Sequence, residues 1–95
     1  MEEEIRQMES MSAERSKVDL QKNQKQLERL LIHIEEMELE YNHCMQTETN
    51  AEKRKRFASQ RPFELERFAR TKRILERLIQ MDIEALAKYA SRGSL

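Results

Sequence analysis

His33, Glu36, Glu40 and His43 are spaced three, four and three residues apart, with Cys44 beside the last, so on a helix they form one stripe of metal-ligating side chains. Glu40-x-x-His43 has the carboxylate–histidine spacing with which di-iron bundles hold their metals. Such a centre takes matching ligands from facing helices. The chain has no other His, Cys or Glu-x-x-His, so a metal would be held only between copies. The stripe therefore reads as a solvated polar face, and Cys44 as a small core residue. A single glycine, Gly93, leaves no Gly-rich phosphate loop, and two histidines on one helix do not assemble a nucleophile, a base and an orienting acid. The expectation is a non-enzyme with no catalytic residue, metal or cofactor.

A second group of reactive types is basic. Lys53, Arg54, Lys55 and Arg56 are continued by Arg61, Arg67, Arg70, Lys72 and Arg73, with Phe57, Phe63 and Phe68 interleaved. Such a run can meet phosphate backbones or act as a nuclear import signal, yet it also suits one side of an ion-pairing hairpin. Ser59 stands among these bases, in Arg56-Phe-Ala-Ser59 followed by Arg61. It reads as a helix N-cap and as a candidate phosphorylation site, since phosphate is favoured near a helix start.

The elements that position these groups are helical. Pro is absent before Pro62 and Gly before Gly93, and charged residues make up 38% of the chain, a balance that suits long solvated helices. Charge is sorted by half: residues 1–50 carry six Lys/Arg against twelve Asp/Glu, and residues 51–95 carry twelve against six. Opposite halves of this kind can set the orientation in which helices pair. The longest apolar run, Leu30 to Ile32, is far short of the roughly 20 residues that span a bilayer. With one cysteine and no targeting pattern, an intracellular chain, cytoplasmic or nuclear, is expected, with no membrane partner.

Residues 1–16 have few apolar positions and are expected to be frayed or disordered. Residues 17–46 form a heptad-bearing helix: Leu20, Leu27, Ile34 and Tyr41 at a, with Asn23, Leu30, Met37 and Cys44 at d. Ser16 with Asp19 has the spacing of a capping box at its start. Leu31 falls at e, and Ile32 and Leu39 at f, opposite the seam, which implies contact from a second side. Residues 47–61 read as a basic connecting segment, partly helical, with a turn near 47–50 capped by Thr49 and Glu52. Pro62 then opens a helix over 62–90, followed by a tail over 91–95. On that last helix Leu65, Phe68, Ala69, Leu75, Ile79, Ile83, Leu86 and Ala90 make a main stripe. Ile74, Leu78, Met81, Ala85 and Tyr89 make a second one nearly opposite.

The fold class expected is all-α: two long helices with a breakable helical connection, as a coiled-coil hairpin or a bundle completed by oligomerisation or a partner. The expected interface residues are Leu20, Leu27, Leu30, Ile34, Met37, Tyr41, Cys44, Leu65, Phe68, Leu75, Leu78, Ile79, Met81, Leu86 and Tyr89. Partner helices of the same or another protein would cover them, making the chain an interaction or scaffold module. The alternative is a helical bundle that binds nucleic acid, or acts as a co-chaperone, through segment 53–73. Arg70-Thr-Lys-Arg-Ile-Leu-Glu-Arg-Leu78 is similar to the basic helix that ends co-chaperone bundles of the BAG type, over one helix and in generic residues, and no membership is read from it.

Overall fold

The structure is a computed structural model that describes residues 2–93. Met1, and Ser94 and Leu95 of the expected tail, lie outside the described residues. Two α-helices make a helical hairpin: α1, Glu2–Thr47, and α2, Ala51–Ser91. Among the described residues there is no strand, and no helix is long and apolar enough to cross a membrane.

The reversal takes three residues, 48–50, and its chemistry is local. Asn50 is the N-cap of α2: its Oδ1 accepts from the Glu52 N–H at 3.0 Å and the Lys53 N–H at 3.3 Å, while its own carbonyl accepts from the Arg54 N–H at 3.1 Å. Glu48 Oε1 in turn accepts from the Asn50 N–H at 3.0 Å. At the end of α1 the Thr47 hydroxyl donates to the His43 carbonyl at 2.8 Å. The cap therefore sits one residue beyond the expected Thr49, because Asn offers a planar carbonyl that reaches two amides at once. Asn50→Ala is expected to lower stability by about 1 kcal/mol. A urea titration reads this as a lower midpoint with an unchanged slope.

Two expected helix starts are corrected. Residues 2–16 belong to α1, so no helix begins at Ser16 and Asp19. The seam simply continues toward the N-terminus through small or polar side chains: Glu9, Ala13 and Ser16 hold the same three-four spacing and are inward, with Ala13 only 1% exposed. The second break, at residues 59–62, does not form, and α2 starts at Ala51 with Pro62 inside it. Ser59 is therefore no N-cap; its hydroxyl donates to the Lys55 carbonyl at 2.9 Å within the helix. At the other end Gly93, with φ 71°, adopts the left-handed conformation that terminates helices, and its N–H donates to the Ala90 carbonyl at 3.1 Å.

The hairpin divides into two units. One holds the residues up to Leu27 and those from Ile74; the other is Glu28–Arg73. In the first, Ala13 and Leu75 are the only buried hydrophobic residues among those described, while Leu20, Asn23, Leu27, Ile79, Asp82, Ala85, Leu86 and Tyr89 are half-buried. Arg92 Nη1 reaches Glu9 Oε1 across this unit at 3.5 Å. In the second, Leu30, Ile34, Met37, Tyr41, Cys44 and Met45 of α1, with Phe57, Arg61, Glu64 and Phe68 of α2, are half-buried. Two ring contacts knit it: the Arg61 guanidinium lies 4.7 Å over the Tyr41 ring, and His33 meets Phe68 edge-on at 5.4 Å.

Candidate interaction surfaces

The heptad reading of α1 and the stripe reading of α2 meet the structure differently. Leu20, Leu27, Leu30, Ile34, Met37, Tyr41 and Cys44 all turn inward, so the chain's own second helix, within each unit, is what they face. On α2, Phe68, Leu75, Ile79, Leu86 and Tyr89 also turn inward. Leu65, Leu78 and Met81 do not, and neither do Ala69, Ile83 and Ala90 of the expected main stripe. The reason is register. Within the second unit the inward line runs Phe57, Arg61, Glu64 and Phe68, and within the first Leu75, Ile79, Asp82, Leu86 and Tyr89, each at three-four spacing, so it passes between the two apolar stripes and takes polar Arg61, Glu64 and Asp82 inward instead.

What is left outside is apolar to an unusual degree. On α2 of the first unit, Ile74 is 54% exposed, Leu78 40% and Met81 56%, at spacings of four and three that set them on one face. Met81 continues into a shallow groove of about 440 Å³ floored by Ala85 and Tyr89 and rimmed by Glu84, Lys88 and Arg92. Ile83 stands out on the opposite side. In the second unit Leu31, Ile32 and Leu39 project from α1, as their e and f positions required, and Phe63 projects from α2 with 79% of its surface open. A groove beside Phe63 is lined by Gln60, Glu64 and Arg67.

The charged groups are mostly unspent within the chain. Lys53, Arg54, Lys55 and Arg56, being consecutive, point all round α2. Lys53, Arg56, Arg67 and Arg70 share one face with Gln60 and Phe63, by spacings of three and four. Glu66 ties Arg70 at 4.0 Å and Arg73 at 3.5 Å on its own helix. Lys53, Arg54, Lys55, Arg56 and Arg67 make no ion pair among the described residues, and neither do Glu35, Glu36, Glu38 and Glu40 of α1. These residues thus form no ion-paired seam between the helices of this unit; its cross-helix links are the Arg61–Tyr41 stack and the His33–Phe68 contact. His33 is taken up by Phe68, and among the described residues no group of three or more His, Cys, Asp or Glu side chains could hold a metal ion. Cys44 is a free thiol, half-buried on the seam.

No family model, curated protein or solved structure matches this chain.

Two features escaped the sequence reading. The Asn50 cap had a signal, an Asn directly before Ala51-Glu52, but Thr49 offered a competing capping box. The Arg61–Tyr41 stack had none, because nothing in the sequence brings positions twenty residues apart together until the turn is placed.

Proposed function

We propose that this chain is a non-enzymatic protein–protein interaction module, a helical hairpin that presents the outward apolar face of α2 to a helix of another protein in a larger assembly. The observation that carries the reading is that α2 is apolar on two sides. Its inward line from Leu75 to Tyr89 is occupied by α1, while Ile74, Leu78 and Met81 stay in water. Covering three such side chains is worth several kcal/mol at about 25 cal/mol per Å² of apolar surface. An intracellular setting, cytoplasmic or nuclear, belongs to this reading, and the free Cys44 suits it.

The test is a variant with Ile74→Glu, Leu78→Glu and Met81→Glu. These positions are exposed, so helix content and melting temperature are expected to stay close to those of the parent. Proteins captured by the parent from cell extract and identified by mass spectrometry should be lost by the variant. Identical capture by both chains would sink the reading.

A further inference from the structure

We infer that the unit Glu28–Arg73 is self-complementary and docks a second copy of this chain, through residues other than the apolar positions Ile74, Leu78 and Met81 just described. The α1 part of this unit, residues 28–50, carries one Lys/Arg against six Asp/Glu. The α2 part, residues 51–73, carries nine against three. A hairpin built from such helices would be expected to spend these charges internally, and four of them are not spent so. Glu36, Glu40, Arg56 and Arg67 are exposed and make no ion pair among the described residues.

Position on the helices says where those charges are offered. On α1 the stripe His33, Glu36, Glu40 and His43 lies about 110° round from the seam, by about 100° per residue. On α2 the stripe Arg56, Gln60, Phe63 and Arg67 lies about 105° round in the same sense. In an antiparallel pair, equal offsets in the same sense put both stripes on one flank. That flank therefore shows an acidic lane beside a basic lane with Phe63 at its centre. The contacts of His33 with Phe68 and of Arg61 with Tyr41 fix the local register, which brings Glu36 and Glu40 to the level of the chain between Arg61 and Arg67.

A two-fold axis lying along this flank, parallel to the helices, sets the acidic lane of each copy over the basic lane of the other. Both contacts are then made twice, and the interface closes on itself. Phe63 is covered between the glutamates of the facing copy. The occupant is chosen by charge: a second copy offers matched lanes of both signs, whereas nucleic acid would answer the basic lane and be repelled by the acidic one.

The experiment uses light-scattering mass and sedimentation of the full chain in about 0.05 M and about 0.5 M salt. At low salt the mass is expected to approach twice the 11.5 kDa of one chain, and to fall toward one chain at high salt. Two charge-swap variants, Glu36→Lys with Glu40→Lys and Arg56→Glu with Arg67→Glu, change only exposed residues. Neither sets a charge unfavourably to the helix dipoles, since Glu40 lies toward the end of α1 and Arg56 toward the start of α2. Each variant alone should self-associate on the order of tenfold more weakly. Mixed in equal amounts, they should recover the dimer, because each supplies the lane the other lacks. A single-chain mass at low salt would overturn the proposal, as would a dimer indifferent to salt and to the swaps. So would a single-chain mass accompanied by salt-sensitive oligonucleotide binding, which would assign the basic lane to nucleic acid. None of these outcomes touches Ile74, Leu78 or Met81, so the two tests fail separately.

Discussion

Leu75→Ala is expected to cost about 2–3 kcal/mol, the largest loss available from one aliphatic truncation in this chain. Leu75 is 8% exposed, and no other large hydrophobic residue among those described is buried. Truncation at so well covered a position leaves a cavity, whose cost adds to the lost transfer energy. Leu→Ala keeps helix propensity high, so the change reports packing and not helix formation. In a domain with so small a core, total stability is a few kcal/mol, and this substitution removes a large share of it. Far-UV circular dichroism should show a melting temperature lower by on the order of 10 °C. Leu78→Ala, three residues on and 40% exposed, is the control and should shift the melt far less. Equal shifts would mean that Leu75 is not the anchor of this seam.

That contrast between neighbours shows what the sequence could and could not carry. The seam of α1 was readable because Leu20, Leu27, Ile34 and Tyr41 repeat every seven residues and their partners at d are also mostly apolar. Its continuation through Glu9, Ala13 and Ser16 was not, because the inward positions there hold a methyl group and polar side chains, which a search for hydrophobic residues passes over. On α2 the difficulty was the reverse. With apolar residues on two sides, periodicity alone cannot say which side turns inward; the choice falls to the helix opposite. The line that matches α1 admits Arg61, Glu64 and Asp82 and leaves Leu65 and Ile83 outside. The interaction surface was legible as a list of apolar positions, but which of them α1 consumes and which remain open required the fold. The unspent charges could be found only once Glu36, Glu40, Arg56 and Arg67 were seen without partners.

Pro62→Ala is expected to act in the opposite direction, raising stability by up to about 3 kcal/mol. Pro62 lies twelve residues into α2, well beyond the first turn where proline costs nothing, and the helix nevertheless runs through it. There it supplies no N–H to the carbonyl of Ala58, and its ring crowds that carbonyl; alanine removes both penalties. The unfolded chain gains freedom in the exchange, which offsets part of the benefit, by about 0.4–1 kcal/mol. The net expectation is a melting temperature higher by on the order of 10 °C and a larger helical signal at 25 °C. The proline also borders Arg61, whose guanidinium sits 4.7 Å over Tyr41, and a residue before proline is biased away from ordinary helical geometry. If the bend imposed at this point is what aims Arg61 at Tyr41, alanine will straighten the helix and lose that contact, worth about 1 kcal/mol. Arg61→Ala made in both backgrounds separates the two effects. A similar loss in each shows that the intact helix tolerates proline at a cost, whereas an Arg61→Ala that is silent only in the Pro62→Ala background, with a correspondingly smaller rise, shows that the proline sets the stack.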